Sequence, residues 1–263
     1  ALSGNAPAPM RATVTVVGDT APDWPFTGST ESLDLALLGL TSEPMPVSFD
    51  LKANGNGGKM DLQGWVSQGE QKIIIDPSQL TIAGQVLTVA PLSIHALGGS
   101  ATLNGRADFT DNENPEFKFN AVVRDFTWGE DPATEIGADA DFDFAGRLKA
   151  WTANGNATLV RAGDTATVVF DGHGNDQQAT LKTLQARMPT GTLNATGTVG
   201  WAPGLNWDIA ATLAGFDPGY FAAGWDGNIS GRFSSVGNAL PAPQTGFNAS
   251  LNVPQLRGTL RGR

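Results

Sequence analysis

The 263-residue sequence contains no cysteine and only two histidines. The absence of cysteine excludes disulfides, thiol nucleophiles and zinc–thiolate sites. His95 and His173 lie far apart in the sequence, and neither stands in a recognisable metal-ligand or nucleophile motif. We therefore predict a protein that is not an enzyme and that uses no cofactor and no metal.

Long hydrophobic runs are also missing, because no stretch approaches the roughly 18 apolar residues that a membrane-spanning helix requires. The formal net charge is −10, and the 16 basic residues form no dense cluster. An acidic chain repels a phosphate backbone, so we expect neither nucleic-acid binding nor direct docking on an anionic membrane surface. No signal segment is recognisable at the start, and we expect both ends to lie within a longer polypeptide.

Three aspartates, Asp139, Asp141 and Asp143, resemble the start of a calcium-binding loop. An EF-hand loop beginning at Asp139 needs glycine at its sixth position and glutamate at its twelfth, where this sequence has Phe144 and Ala150. We interpret the three aspartates as the solvated face of a strand, and we predict no metal ion at them.

Alternation of apolar and polar residues is the main positive signal. From Ile136 to Phe144 every second residue is apolar, and the residues between are glycine or aspartate. Successive side chains of a strand point to opposite faces, so this pattern predicts a strand with one wet face. Similar patterns occur in residues 47–53, 101–109, 117–123, 193–201, 207–213 and 247–253. No convincing helix is present, and we predict an all-β fold of antiparallel strands with little or no helix.

Turn sequences rich in glycine, asparagine and proline separate the alternating runs. One occupies residues 54–58, where asparagine and glycine predominate. Another is predicted between Asp171 and Asn175, which would place His173 in a hairpin turn.

The strands repeat as a group. Gly99 and Gly105 enclose a Leu-Asn pair, and Gly191 and Gly197 enclose another. Further matches follow in the same order along both copies. We therefore predict a single elongated repeat region over residues 1–263, with units at approximately 1–91 (partial), 92–183 and 184–263.

The second full copy carries motifs that resemble a known family. It contains Phe216-Asp217-Pro218, then Trp225-Asp226-Gly227, and then Ile229-Ser230-Gly231. These steps resemble the repeat region of the translocation and assembly module subunit TamB family, within the broader AsmA-like group. The first copy departs from the pattern, because Phe126-Thr127-Trp128 stands in place of Phe-Asp-Pro.

The resemblance implies a protein that is anchored in the inner membrane, crosses the periplasm and meets an Omp85-type (TamA-like) outer-membrane barrel through parts outside this segment. It also implies a long antiparallel sheet curled into an open, β-taco-like apolar groove. The implied role is phospholipid transport between the two membranes together with outer-membrane protein assembly.

On this basis we predict a periplasmic lipid-conduit segment that binds phospholipid acyl chains. The residues expected to line the groove are Leu103, Phe109, Phe117, Phe119, Val123, Phe142, Phe144, Leu193, Val199, Trp201, Trp207, Ile209, Leu213, Phe247 and Leu251. The alternative is a secreted or surface β-repeat binding module, such as an adhesin or a carbohydrate-binding protein. Closed cores with aromatic side chains exposed on the opposite face would favour that alternative.

Overall fold

The computed structural model describes residues 2–4, 10–14, 23–34, 45–129, 135–202, 204–221, 224–240 and 246–260. The strands in these ranges are Leu2–Gly4 (β1), Met10–Val14 (β2), Asp23–Asp34 (β3), Pro46–Asn56 (β4), Lys59–Gln68 (β5), Gln71–Ala83 (β6), Val86–Ala96 (β7), Gly99–Asp108 (β8), Glu116–Trp128 (β9), Ile136–Arg147 (β10), Ala150–Arg161 (β11), Asp164–Gly174 (β12), Gln178–Arg187 (β13), Thr192–Gly200 (β14), Leu205–Phe216 (β15), Gly227–Leu240 (β16) and Gly246–Leu260 (β17). The helical content of the described ranges is a single 3-10 turn at Pro218–Tyr220. The predicted all-β fold is therefore confirmed.

The chain divides into two compact units. Unit 1 comprises residues 1–112 and 119–126, and unit 2 comprises residues 113–118 and 127–263. Strands β1 to β8 therefore belong to unit 1 and β10 to β17 to unit 2, while β9 contributes residues to both.

From β1 to β8 in unit 1, and from β10 to β17 in unit 2, each strand pairs antiparallel with the strand that follows it in the chain. Many of the connections are two-residue turns, which is the shortest link that an antiparallel pair allows. In the β11–β12 turn, Ala162 and Gly163 have φ angles of +50° and +88°. Two successive residues at positive φ give the turn the right-handed twist that strands share. Local hairpins therefore account for the predicted antiparallel order.

The prediction of a hairpin turn at His173 is wrong. His173 lies within β12, and the turn follows it, where the Asn175 side chain accepts hydrogen bonds from the backbone N–H groups of Gln177 and Gln178. The glycine beside it, Gly174, serves packing instead, because a β-carbon there would collide with the Trp151 ring. A glycine inside a strand marks such a close approach as readily as it marks a turn.

The side chains that are most completely buried do not form a thick central core. The hydrophobic cluster in unit 2 contains Ala166, Ala186, Met188 and Tyr220, with larger side chains packed around it. Most other apolar strand residues are only half-buried, and all side chains described in β17 are exposed. Within the described residues no helix is long and apolar enough to cross a bilayer.

Candidate functional site

The strand registers of unit 2 place its apolar side chains on one face. Directly opposed residues of an antiparallel pair project from the same side of the sheet. Following these pairs from Phe142 on β10 leads to Phe170 on β12, Ala195 on β14 and finally Leu251 on β17. We call this surface the apolar face of unit 2. Its large side chains include Ile136, Phe142, Phe144, Trp151, Leu159, Val168, Phe170, Leu181, Leu184, Leu193, Val199, Trp207, Ile209, Leu213, Phe233, Phe247 and Leu251.

The opposite face of unit 2 is polar. Asp139, Asp141 and Asp143 lie on it, which confirms their interpretation as one side of a strand. Threonine and asparagine occupy many of its other positions, and β10 to β17 place no phenylalanine, tyrosine or tryptophan there. In the described ranges, no group of three or more His, Cys, Asp or Glu side chains is arranged to hold a metal ion.

Charge is confined to the margin of the apolar face of unit 2. Arg161 and Asp164 are opposite one another at the ends of β11 and β12. The ion pair between Lys182 and Asp171, at 3.3 Å, lies on the polar side. The interior of the apolar face therefore offers hydrophobic contact and little electrostatic specificity.

Aromatic rings on the apolar face lie against glycines of neighbouring strands. A β-carbon at Gly155 would meet the rings of Phe142 and Phe170, whose centroids are 6.0 Å apart. A β-carbon at Gly237 would likewise meet the Trp207 ring. The missing side chains leave room for the rings to lie against the sheet.

Unit 1 has an apolar face of the same kind. Phe49 on β4 lies opposite Val66 on β5, and Ile75 on β6 lies opposite Ile94 on β7. The buried polar groups among its registered positions are the hydroxyls of Thr30 and Ser78. The Ser78 hydroxyl donates to the Asp76 carbonyl and accepts from the Ser93 N–H. No charged side chain occupies a registered position on this face of the described strands.

The residues predicted to line a groove fall on these two faces wherever the registers reach them. In unit 1, Leu103 lies opposite Leu92, and Phe109 follows β8 with 39% of its surface exposed. Phe119 and Val123 are half-buried on β9. Their role in binding lipid stays a prediction.

In unit 2 the structure brings several of the predicted residues together. The Phe117 and Phe144 rings lie 6.3 Å apart, and the Trp207 and Phe247 rings lie 5.7 Å apart. Leu193, Val199, Ile209, Leu213 and Leu251 share the face with them. Trp201 lies just beyond β14, where its indole N–H donates to the Asp176 carbonyl at 2.8 Å.

A short segment folds back over one part of the apolar face of unit 2. We call residues Asp217–Phe221 the cover. Asp217 caps its 3-10 turn by accepting from the Gly219 N–H, and Pro218 supplies a fixed φ at the first turn position. The Tyr220 ring then packs into the hydrophobic cluster and is only 8% exposed.

The cover indicates that the apolar face is concave at this point. It follows β15 but reaches β11, since the Tyr220 hydroxyl donates to the Leu159 carbonyl at 2.8 Å. In a flat sheet, β11 and β15 would be about 19 Å apart at the usual strand spacing. A 3-10 turn advances only about 2 Å per residue. Curvature of the sheet brings β11 within reach of this short segment and its tyrosine side chain.

Burial affects the acidity of Tyr220. Removal from water raises the pKa of its hydroxyl, and the negative charge of Asp164 acts in the same direction. Hydrogen bonding to the Ala166 backbone and the positive charge of Arg161 oppose the shift without reversing it. The hydroxyl therefore remains a hydrogen-bond donor throughout the neutral pH range.

Sequence reasoning did not identify Trp151, Arg161, Phe170 or Tyr220 as residues of this surface. Phe170 follows Val168 and Val169, which project to opposite faces, so its run lacks clean alternation. The Asp217-Pro218 pair was the available signal for the cover, since aspartate followed by proline is typical of a helical start. Leu159, whose carbonyl accepts from the Tyr220 hydroxyl, lies 61 residues away in the sequence, so the contact leaves no local pattern.

A family model described as "TamB, N-terminal domain" matches residues 39–263, which is most of the chain. No curated protein and no solved structure matches.

Proposed function

The chain belongs to the TamB N-terminal domain family, and from this membership we propose that it is a passive, non-enzymatic lipid-conduit segment. The family acts in envelope lipid transport and outer-membrane protein assembly. In our proposal the segment lies in the periplasm as part of an inner-membrane-anchored protein. Its apolar faces shield phospholipid acyl chains, and parts outside this segment meet an Omp85-type, TamA-like barrel.

The observation that carries the proposal is the apolar face of unit 2. It extends over eight strands, its charged groups are confined to one margin, and most of it is half-buried or exposed. At β17, Phe247 is 70% exposed and Leu251 is 67% exposed. Large exposed apolar patches are rare on proteins that have nothing to cover them.

Acyl chains suit this surface physically. Each CH₂ group that leaves water for an apolar contact contributes about 0.8 kcal/mol, and no directional polar contact is needed. A sheet face lined by rings and aliphatic side chains can therefore hold a chain at many positions along its length. Such binding also explains why the sequence carries no sharp ligand motif.

The alternative of a carbohydrate-binding or adhesive module has less support. Flat aromatic side chains on the exposed polar face would favour it. Instead, the aromatic side chains of β10 to β17 lie on the apolar face, where several contact one another and the glycines beneath them.

The proposal can be tested by site-specific photo-crosslinking in cells that make the full-length protein. Phe170 and its neighbour Val169 project from opposite faces of β12, and Val169 is the more exposed, at 53%. A photoreactive residue at Phe170 should capture phospholipid, and one at Val169 should not. If solvent exposure alone determined capture, the probe at Val169 would capture more lipid than the probe at Phe170. Equal capture at both sites, or none at either, would refute the conduit.

A further inference from the structure

The cover is fastened to the sheet at two separate places. An Arg161 nitrogen donates to the carbonyls of Gly219 and Tyr220, at 2.7 Å and 2.6 Å. The Tyr220 hydroxyl donates to the carbonyls of Leu159 and, at 3.2 Å, Asp164. All these contacts join the loop after β15 to β11 and to the start of β12. They hold the cover down on the apolar face instead of letting it extend from the strand end.

The loop is also closed on itself. Asp217 accepts from the N–H groups of Gly219 and of Gly227, which starts β16, at 2.9 Å and 2.8 Å. A β-carbon at Gly219 would collide with Asp226. One carboxylate therefore fixes both the entry to the turn and the return to the sheet.

The cover lies over only part of the width of the face. On β14, Leu193 packs against the cluster that contains Tyr220. Val199 is on the same face, six residues along the strand and about 20 Å away, opposite Trp207. The strand thus passes from a covered end to an end that this cluster does not reach.

We propose that the cover confines acyl chains to the Val199 side of the apolar face of unit 2, and that releasing it from Arg161 makes the Leu193 side available to lipid. This inference rests on the proposed lipid function and adds a determinant of the lipid path. Leu193 is partly buried and packs against the hydrophobic cluster that contains the Tyr220 ring. A close-packed cluster has no room for an acyl chain until the ring leaves.

The absence of cysteine from the sequence permits a direct test on the intact chain. Leu193→Cys and Val199→Cys each introduce one thiol, at the covered and the uncovered end of the same strand. The probe is a phospholipid with a maleimide at the end of one acyl chain, carried in phosphatidylethanolamine and phosphatidylglycerol vesicles. Water-soluble N-ethylmaleimide serves as the reference reagent, and circular dichroism checks that each variant keeps its strand content.

We expect the lipid probe to label Val199→Cys at least about tenfold faster than Leu193→Cys. Labelling at position 193 requires the cover to open, and an opening that is unfavourable by about 1.4 kcal/mol slows labelling tenfold. Adding Arg161→Ala should accelerate labelling at position 193 and leave position 199 unchanged. Arg187→Ala is the matched control, because Arg187 is an exposed arginine on the polar face of β13, the strand that pairs with β14. It should change neither rate.

The possible failures separate the inference from the function on which it rests. Equal lipid labelling at positions 193 and 199 in the unaltered background would overturn the role of the cover and leave the conduit intact. Acceleration at both positions by Arg161→Ala would indicate general loosening and would also reject the inference. Lipid labelling at neither position, with N-ethylmaleimide still reacting at Val199→Cys, would reject the conduit and the inference together.

Discussion

Removing one oxygen atom from Tyr220 provides a quantitative test of how firmly the cover is held. Tyr220→Phe keeps the ring in the hydrophobic cluster and deletes only the hydroxyl that donates to the carbonyls of Leu159 and Asp164. The change should therefore weaken the fastening and leave the packing intact.

The expected magnitude follows from the loss of one shared donor. A neutral intramolecular hydrogen bond contributes a net 0.5–1.5 kcal/mol, so the opening equilibrium of the cover should rise roughly 2-fold to 13-fold, with about fivefold as the central value. When reclosing is faster than labelling, the labelling rate of a covered thiol is proportional to the opening equilibrium. The rate of N-ethylmaleimide labelling at Leu193→Cys should rise by the same factor.

Val199→Cys supplies the control for this measurement. Its labelling rate should be unchanged, because Tyr220 does not cover that end of β14. An unchanged rate at position 193 would show that the hydroxyl does not fasten the cover. Equal increases at both positions would mean that Tyr220→Phe destabilises the whole unit, and the local account would then be wrong.

Three further outcomes follow from the structure. Because burial raises the pKa of Tyr220, the closed cover should lose stability as pH rises through that raised value, above the ordinary 10.0. Tyr220 is the only tyrosine in the sequence, so phenolate absorbance reports its titration alone. Titration at or below the ordinary pKa would contradict its burial. Gly219→Ala should open the cover by forcing the turn away from Asp226, and unchanged labelling of the covered thiol would argue against this packing. Ile75→Arg should abolish lipid capture by unit 1, since a charge placed among apolar side chains is costly. Ile74→Arg should be tolerated, because Ile74 is 44% exposed and lies on the opposite face, beside Trp65. Equal loss of lipid capture in both variants, with strand content intact by circular dichroism, would refute the assignment of faces.

A single-layer apolar face has a consequence for stability. With few fully buried side chains, each unit depends on its antiparallel ladders and on contact between neighbouring side chains on one face. Substitutions on the polar face should therefore have small effects, whereas removal of a ring such as Phe142 also deprives Phe170 of its contact. Lipid that binds only the folded state would add stability that grows with the logarithm of its free concentration once that concentration exceeds the Kd.

The predicted fold and much of the predicted surface came from the alternation of apolar and polar residues along the strands. In β10 and β15 the alternation is regular, and the predicted apolar residues share a face in the structure. In β12 the alternation is obscured by adjacent valines, so Phe170 was missed. The glycine-rich run around His173 was misread because glycine serves both tight turns and close packing beneath a ring.

Alternation along the chain was enough to predict the strands and their two faces, because side chains alternate across a strand whatever its partners are. The folded structure was needed to locate the register shifts, such as the one between Leu181 and Leu184, since a bulge depends on how two strands pair. It also decided that Tyr220 covers part of the apolar face. That contact joins residues 61 positions apart and exists only where curvature brings β11 and β15 together. Local alternation cannot encode this curvature, because it arises from the twist and bulges that accumulate across the intervening strands.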